Sequence, residues 1–490
     1  MRRNKSKFER DINKYIIVQY GEKLLNYIET QTKFMANWFK FAILRVDFNE
    51  YYDDVFHFLN DLKSLKKNDP ELRNKKELYK LIDLYLKPSE VEKKGNGEVF
   101  TPFTVVERVG GMLSINWKSP YQKIIDGASG IGNFQIFLLD NFMIGLKDYH
   151  DDKIDLRNEK VRYKWIFQYI IYTCDISDKN TFFYKNIFDP NDEFDLNHYY
   201  GDFLSPGFNN CMKNEWKLDK FDKSIGNPPW NGNIDLKFLT KYYQISDEIS
   251  IIHPSTWLLD EKNTQKRFTN VKDLIGDHLS KSILINGNAL FKNVQLFVPC
   301  SITHISKSNK DGITIVDELN NTNIVYDNIY DINKYNSDEY FSLIKKITIK
   351  YSLLDKLKHT KENKPLYKDI VNLAQIRGHV SLKDKRVLLL PDFYTLITKV
   401  SVISKIPNKH MFFEFETLMA AENFEKYLKT KFVRFCLSIL KNNSQLDRGE
   451  LKNIPWLDFT QEWADEKLRV KYNITDKEWE FIDNVIPDYY

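Results

Sequence analysis

Apolar positions recur every three or four residues near the start of the chain, as at Ile17, Tyr20, Leu24 and Ile28, the spacing of one helical face. Similar runs follow at Phe34–Leu44, Tyr52–Leu65 and Glu71–Leu86; Asp69-Pro70 separates the last two and Lys87-Pro88 closes the set. The pattern predicts an N-terminal helical domain over residues 1–96. After the charged linker Lys93–Gly97 the period changes. Short apolar runs at Lys123–Ile125, Trp165–Thr173, Lys220–Ile225, Glu248–Ile252, Ser282–Ile285 and Pro299–Ile305 read as strands. Helical segments such as Phe134–Leu146 and Lys237–Tyr243 lie between them, and this alternation predicts a parallel α/β sheet over residues 97–310. Residues 311–490 read as a mixed, largely helical third domain, with strong helices at Ala420–Leu440 and Asp476–Val485. Thr475 followed by Glu478 fits a capping box for the last of them.

Composition changes this picture little. The length of 490 residues suits about three domains, and 42% hydrophobic with 14% aromatic content supplies a large core. A net charge of +4 is close to neutral for this length and leaves nucleic-acid binding to local surface. Cys174, Cys211, Cys300 and Cys436 stand far apart with no Cys-x-x-Cys spacing, which points to reduced thiols and no zinc or other metal. No apolar signal region or membrane-length run is present. The expected location is cytoplasmic, in a bacterium or, for a viral protein, in the host cell. Glu92-x-Lys94 with Asp83 upstream has a faint nuclease-like order that a charged linker explains better.

Candidate chemistry lies between Gly97 and Lys307. Asp126-Gly127-Ala128-Ser129-Gly130-Ile131-Gly132-Asn133-Phe134 follows a strand and opens a helix, where glycines let backbone approach a ligand. The spacing differs from Gly-x-Gly-x-x-Gly, so a dinucleotide pyrophosphate is a poor fit. Asp126 is placed to hold a cationic group such as an ammonium. Asp175 ends the next strand, where ribose hydroxyls are gripped in such folds. It comes about twice the usual ~20 residues after the glycines, an excess assigned to the charged insertion Lys147–Lys160. Asp202-Phe203 sets an acceptor beside an aromatic, as an edge-and-face clamp for a purine or as a plain turn. Thr101-Pro102 reads as an N-cap with proline at the first helical position. Asn227-Pro228-Pro229-Trp230 ends a strand in a rigid turn holding one amide, one carbonyl and one aromatic face.

In this order the motifs resemble the N6-adenine (amino) DNA methyltransferases of the γ class, and the tail is similar to type IIG modification enzymes. The resemblance implies a Rossmann-like S-adenosylmethionine-dependent methyltransferase sheet, with residues 311–490 as a target-recognition domain. It implies cofactor contacts from Thr101, Pro102, Asp126, Gly130, Gly132, Phe134, Asp175, Asp202 and Phe203. Catalysis falls to Asn227, Pro228, Pro229 and Trp230, with Trp230 and Phe291 stacking on a flipped adenine. It implies a monomer acting on double-stranded DNA, with cleavage left to a separate endonuclease. Trp230 departs from the commoner tyrosine, and the insertion before Asp175 is a larger departure. Methyl transfer to RNA or to protein glutamine, or a modification subunit that needs a partner, are the alternatives. Within the third domain, His379–Arg386 and Lys441–Arg448 carry polar and basic residues suited to phosphates and base edges.

Overall fold

Five helices begin the described chain: α1 (Lys7–Tyr20), α2 (Glu22–Glu29), α3 (Lys33–Arg45), α4 (Tyr52–Asn68) and α5 (Lys75–Tyr85). The structure, a computed structural model, describes residues 7–46, 48–70, 72–85, 101–259, 265–291, 300–318, 321–333, 335, 337–359, 366–377, 397–406, 411–440 and 448–486. Glu92 and Lys94, Gly97–Phe100, Pro299, His379–Arg386 and all but the last residue of Lys441–Arg448 lie outside these residues. On α1 the buried stripe passes through Ile12 and Ile16, while Ile17 is 39% exposed, one position off the expected face. Trp38, Phe41, Val55, Phe58 and Leu62 are buried on α3 and α4, with the Trp38 ring against Phe41 and Phe58.

The chain divides into two compact units, one of residues 1–253 with 302–310, the other of 254–301 with 311–490. The first holds α1–α5 together with strands β1 (Ile124–Asp126), β2 (Ile171–Asp175), β3 (His198–Tyr200), β4 (Phe221–Gly226) and β5 (Ser246–Pro254). These strands run β3-β2-β1-β4-β5, with every neighbouring pair parallel. Their C-terminal ends therefore share one edge of an α/β sheet, the edge at which open sheets place ligands. The run Trp165–Thr173, expected as one strand, is instead the end of a helix (Glu159–Trp165), a π-helical turn (Ile166–Ile170) and then β2. A short, largely apolar stretch has no period that separates helix from strand.

Three residues before Gly226, Lys223 lies opposite Glu248 of β5. Glu248 accepts hydrogen bonds from Lys223, from the Ser114 backbone (2.9 Å) and hydroxyl (2.7 Å), and pairs with His304 Nε2 (2.8 Å). Burial alone would push this carboxyl up; the donors, His304 foremost, outweigh it and hold the group at about 2. A carboxyl depressed on folding contributes stability above its unfolded pKa and loses it as pH falls toward the folded value. Thermal melts are thus expected to drop between pH 4.5 and 2, and Glu248→Gln to flatten that limb while costing on the order of 2 kcal/mol at neutral pH. An unchanged acid limb in the variant would count against this network.

In the second unit β6 (Leu279–Ile285) pairs parallel with β8 (Ile313–Asp317), which pairs antiparallel with β9 (Thr322–Tyr326). A four-stranded antiparallel sheet follows, with β10 (Lys358–His359), β11 (Leu366–Arg377), β12 (Ile397–Ile406) and β13 (Met411–Phe415) in the order β10-β13-β11-β12. Phe413, Phe424, Tyr427, Phe459 and Leu468 belong to its core. The expected helix Ala420–Leu440 is two helices, Leu418–Lys429 and Lys431–Leu440. Thr430 breaks the run with extended backbone (ψ 149°), and its hydroxyl accepts from Val433 N, capping the second helix. The Thr475–Glu478 capping box is present. Among the described residues no helix is long and apolar enough to cross a membrane.

Candidate active site

β1 ends at Asp126, and the chain turns through Gly127–Gly132 into the helix Asn133–Gly145. Gly130 (φ +55°) and Gly132 (φ +108°) adopt left-handed backbone that favours glycine. A Cβ on Gly130 would meet nothing within 4 Å, whereas one on Gly132 would fall 2.4 Å from the Phe188 ring. The turn is thus open on its Gly130 side and closely packed at Gly132. Its amides are pinned one by one: Gly127 donates to Tyr242 Oη (2.7 Å), Ser129 to the Cys174 carbonyl (3.0 Å) and Gly130 to Asp175 Oδ2 (2.8 Å).

The two strand-end acids hold this turn from beneath. Asp126 is 1% exposed, accepts Ala128 N–H (3.1 Å) and the Gln135 amide (3.0 Å), and forms no ion pair among the described residues. Burial pushes it up to about 7. Asp175 accepts Ser177 N–H (2.8 Å) and the Asn180 amide (3.3 Å) in addition to Gly130. Asp202 follows β3, exposed, and accepts Leu204 N–H (2.9 Å). Phe203 is 1% exposed, so its ring is not a free face for a ligand. Its ring stacks on Phe238 (5.0 Å) and contacts Phe208 and Tyr242, and a Cβ on Gly127 would lie 2.8 Å from it. The aromatic faces inward because the bare Gly127 leaves room for it. Phe134, in the first turn of the helix, is likewise buried.

β4 delivers the second part of the site, the turn Asn227–Trp230. The Asn227 amide donates to Thr101 Oγ1 (3.0 Å), and its Oδ1 accepts the Trp230 indole N–H (2.9 Å). Thr101 therefore serves Asn227 rather than capping the next helix, and Pro102 takes the N-cap position before Phe103–Gly110. The expected cap was one residue too early because Thr101's hydroxyl has a partner 126 residues away. The Thr101 carbonyl also accepts the Asn133 amide (2.8 Å), joining this turn to the glycine turn. Thr101→Val is expected to release one end of the Asn227 amide and to cost about 1 kcal/mol, as for loss of one hydrogen bond. Thermal melts check it; an unchanged Tm would mean the amide is fixed by other contacts.

Past Trp230 the loop passes through two left-handed residues, Gly232 and Asn233, into the helix Ile234–Ile245. In that helix's first turn Asp235 Oδ2 lies 3.1 Å from His253 Nδ1, and His253 Nε2 lies 2.9 Å from Thr303 Oγ1. All three are buried. This polar chain fixes the far end of the loop to β5 and to the strand Cys300–Ser306 (β7).

Thr101, Pro102, Asp126, Gly130, Gly132, Phe134, Asp175, Asp202, Phe203 and Asn227–Trp230 all fall in the first unit. Phe291 falls in the second, buried, with its N–H on the Gly287 carbonyl (2.8 Å). Tyr242 and Gln135, which help hold the glycine turn, were not picked out in the sequence, whereas Asn133 stands inside the glycine motif itself.

No protein family's sequence pattern matches the chain, and no curated protein does. Among solved structures, the chain is similar to the methyltransferase subunit of a type I restriction-modification system from Streptococcus thermophilus (14% identity, TM-score 0.33, 47% of this chain and 51% of that one). It is similar to a modification subunit of a type I restriction enzyme from Vibrio vulnificus (12%, TM-score 0.36, 63% of each chain). It is also similar to the type IIL restriction-modification enzyme MmeI in complex with DNA (8%, TM-score 0.42, 78% of this chain and 72% of that one). The match spans about half of the Streptococcus thermophilus subunit. Likeness at this level says nothing of activity, which the site's own geometry must carry.

Proposed function

We propose that the chain is a site-specific DNA adenine-N6 methyltransferase that takes its methyl group from S-adenosylmethionine, in a restriction-modification setting. The observation that carries this reading is the Asn227 amide, held at the same sheet edge as a glycine turn and two strand-end acids. The glycine turn fits the cofactor: its Gly130 side is open and its backbone is fixed. Gly130, Gly132, Asp175 and Asp202 would hold the cofactor, with Asp126, Phe134 and Phe203 supporting them from the buried side. S-adenosylmethionine, when bound, supplies a methyl group on a sulfonium.

The chain's own residues do the rest. N6 of adenine is a weak nucleophile because its lone pair is delocalised into the ring. Asn227 Oδ1 and the Pro228 carbonyl accept its two N–H bonds, drawing the nitrogen toward tetrahedral geometry and turning its lone pair outward. Pro228 and Pro229 fix those acceptors beforehand, which is positional and electrostatic catalysis without a strong base. Trp230, half-buried at the end of the turn, supplies a face for the base. Stacking worth ~1–3 kcal/mol per contact offsets the few kcal/mol of extruding an adenine from the helix. Residues 311–490 read the target sequence.

Expression in a host without adenine methylation, followed by single-base methylation sequencing, tests this. N6-methyladenine in one sequence context is the expected result. Unmodified DNA, with labelled methyl appearing on RNA or on protein glutamine, would overturn the choice of substrate. Methylation only on adding a partner would assign the chain as a modification subunit.

A further inference from the structure

We propose that the N-terminal helices are part of the cofactor site, with Tyr79 of α5 as a positioning residue for the glycine turn; this rests on the methyl-transfer reading above. Tyr79 is 7% exposed, and its hydroxyl donates to the Ile131 carbonyl (2.5 Å). Ile131 stands between the two left-handed glycines, so this bond fixes the peptide that leads into Gly132. The turn's other side-chain and strand partners, Tyr242, Asp126, Asp175 and Cys174, belong to the helix Ile234–Ile245, to β1 and to β2. Tyr79 is the restraint supplied from the N-terminal side.

Neighbouring residues on the same helix reach the other walls of the site. Lys75, one turn before Tyr79 and buried, donates to the Ile187 carbonyl (2.5 Å), next to the Phe188 whose ring closes off Gly132. Lys76 lies 3.5 Å from Asp140 on the helix that follows the turn. Its ammonium also sits 4.7 Å from the centre of the Phe103 ring, beside Thr101-Pro102. One helical face thus touches the turn, both helices flanking it and the segment that holds Asn227. A bundle serving only as a cap would have no need to place a phenol on a backbone carbonyl inside a ligand-binding turn.

Binding of S-adenosylhomocysteine by calorimetry, with amide hydrogen exchange on the ligand-free protein, tests the proposal in the full chain. Tyr79→Phe is expected to weaken binding about three- to tenfold, as for loss of one hydrogen bond. It should also speed exchange of the amides from Gly130 to Asn133, with little change in Tm. Leu78→Ala, which removes core packing from the same helix, should lower Tm and leave affinity unchanged while the protein is folded. Tyr79→Phe with wild-type affinity and wild-type exchange would overturn the proposal. So would Leu78→Ala weakening binding as much as Tyr79→Phe, which would make the effect one of general stability. A wild-type protein that binds no S-adenosylhomocysteine would overturn the methyl-transfer reading instead, and the exchange arm would still judge the role of Tyr79.

Discussion

Asn227→Ala is expected to abolish methyl transfer to DNA, a loss of about 10³-fold or more, while affinity for S-adenosylhomocysteine stays close to wild type. In the proposed reaction the substitution removes the acceptor for the amine, and with it the partner of both Thr101 and the Trp230 indole. None of these three bonds the Gly127–Gly132 amides, whose partners include Tyr242, Asp126, Cys174, Asp175 and the Ser129 carbonyl. Single-turnover kinetics together with calorimetry separate the two effects. Full activity in Asn227→Ala would sink the mechanism, and parallel loss of rate and cofactor affinity would show that the two turns are one structural unit.

The second large effect concerns Gly132. Alanine there must hold φ near +108° and place its methyl 2.4 Å from the Phe188 ring and 3.3 Å from Tyr184. Backbone strain and overpacking together are expected to cost about 2–4 kcal/mol and to abolish detectable cofactor binding. Gly130→Ala is the matched comparison. Its φ of +55° is left-handed too, but a Cβ there meets nothing, so the cost should be only ~1 kcal/mol. Thermal melts of the pair decide it, since equal losses would mean that backbone conformation alone, without Phe188, accounts for both glycines.

Legibility in the sequence followed the range of the interactions involved. The glycine turn, the proline turn after β4 and the last helix were readable because glycine, proline and capping residues act within a few positions of themselves. Trp165–Thr173 was misread because helix, π-turn and strand share one largely apolar run with no glycine or proline to divide it. Thr430 was missed as a break for the opposite reason: its own conformation, with no glycine or proline, ends the first helix. Within the candidate site, the residues proposed to carry chemistry were marked by type and order. Those that hold them were not. Tyr242 reaches Gly127 across 115 positions and Thr101 reaches Asn227 across 126, and no local pattern encodes either pairing. Phe203 and Asp126 show the complementary limit, because the sequence marked both positions but could not tell an inward-facing support from an outward-facing contact.

The Asp235–His253–Thr303 chain sets a rule for anyone who would graft the Asn227–Trp230 loop into another sheet. Its members come from a helix and two different strands, and all three are buried, so solvent offers little to replace a missing partner. Carrying over the loop without His253 and Thr303 would leave a carboxylate stranded in the interior, at a cost beyond what the loop's own contacts return. A recipient must therefore accept all three side chains together, or have all three positions repacked with apolar groups. The portable module is this set of distant positions with the loop, not the four-residue motif alone.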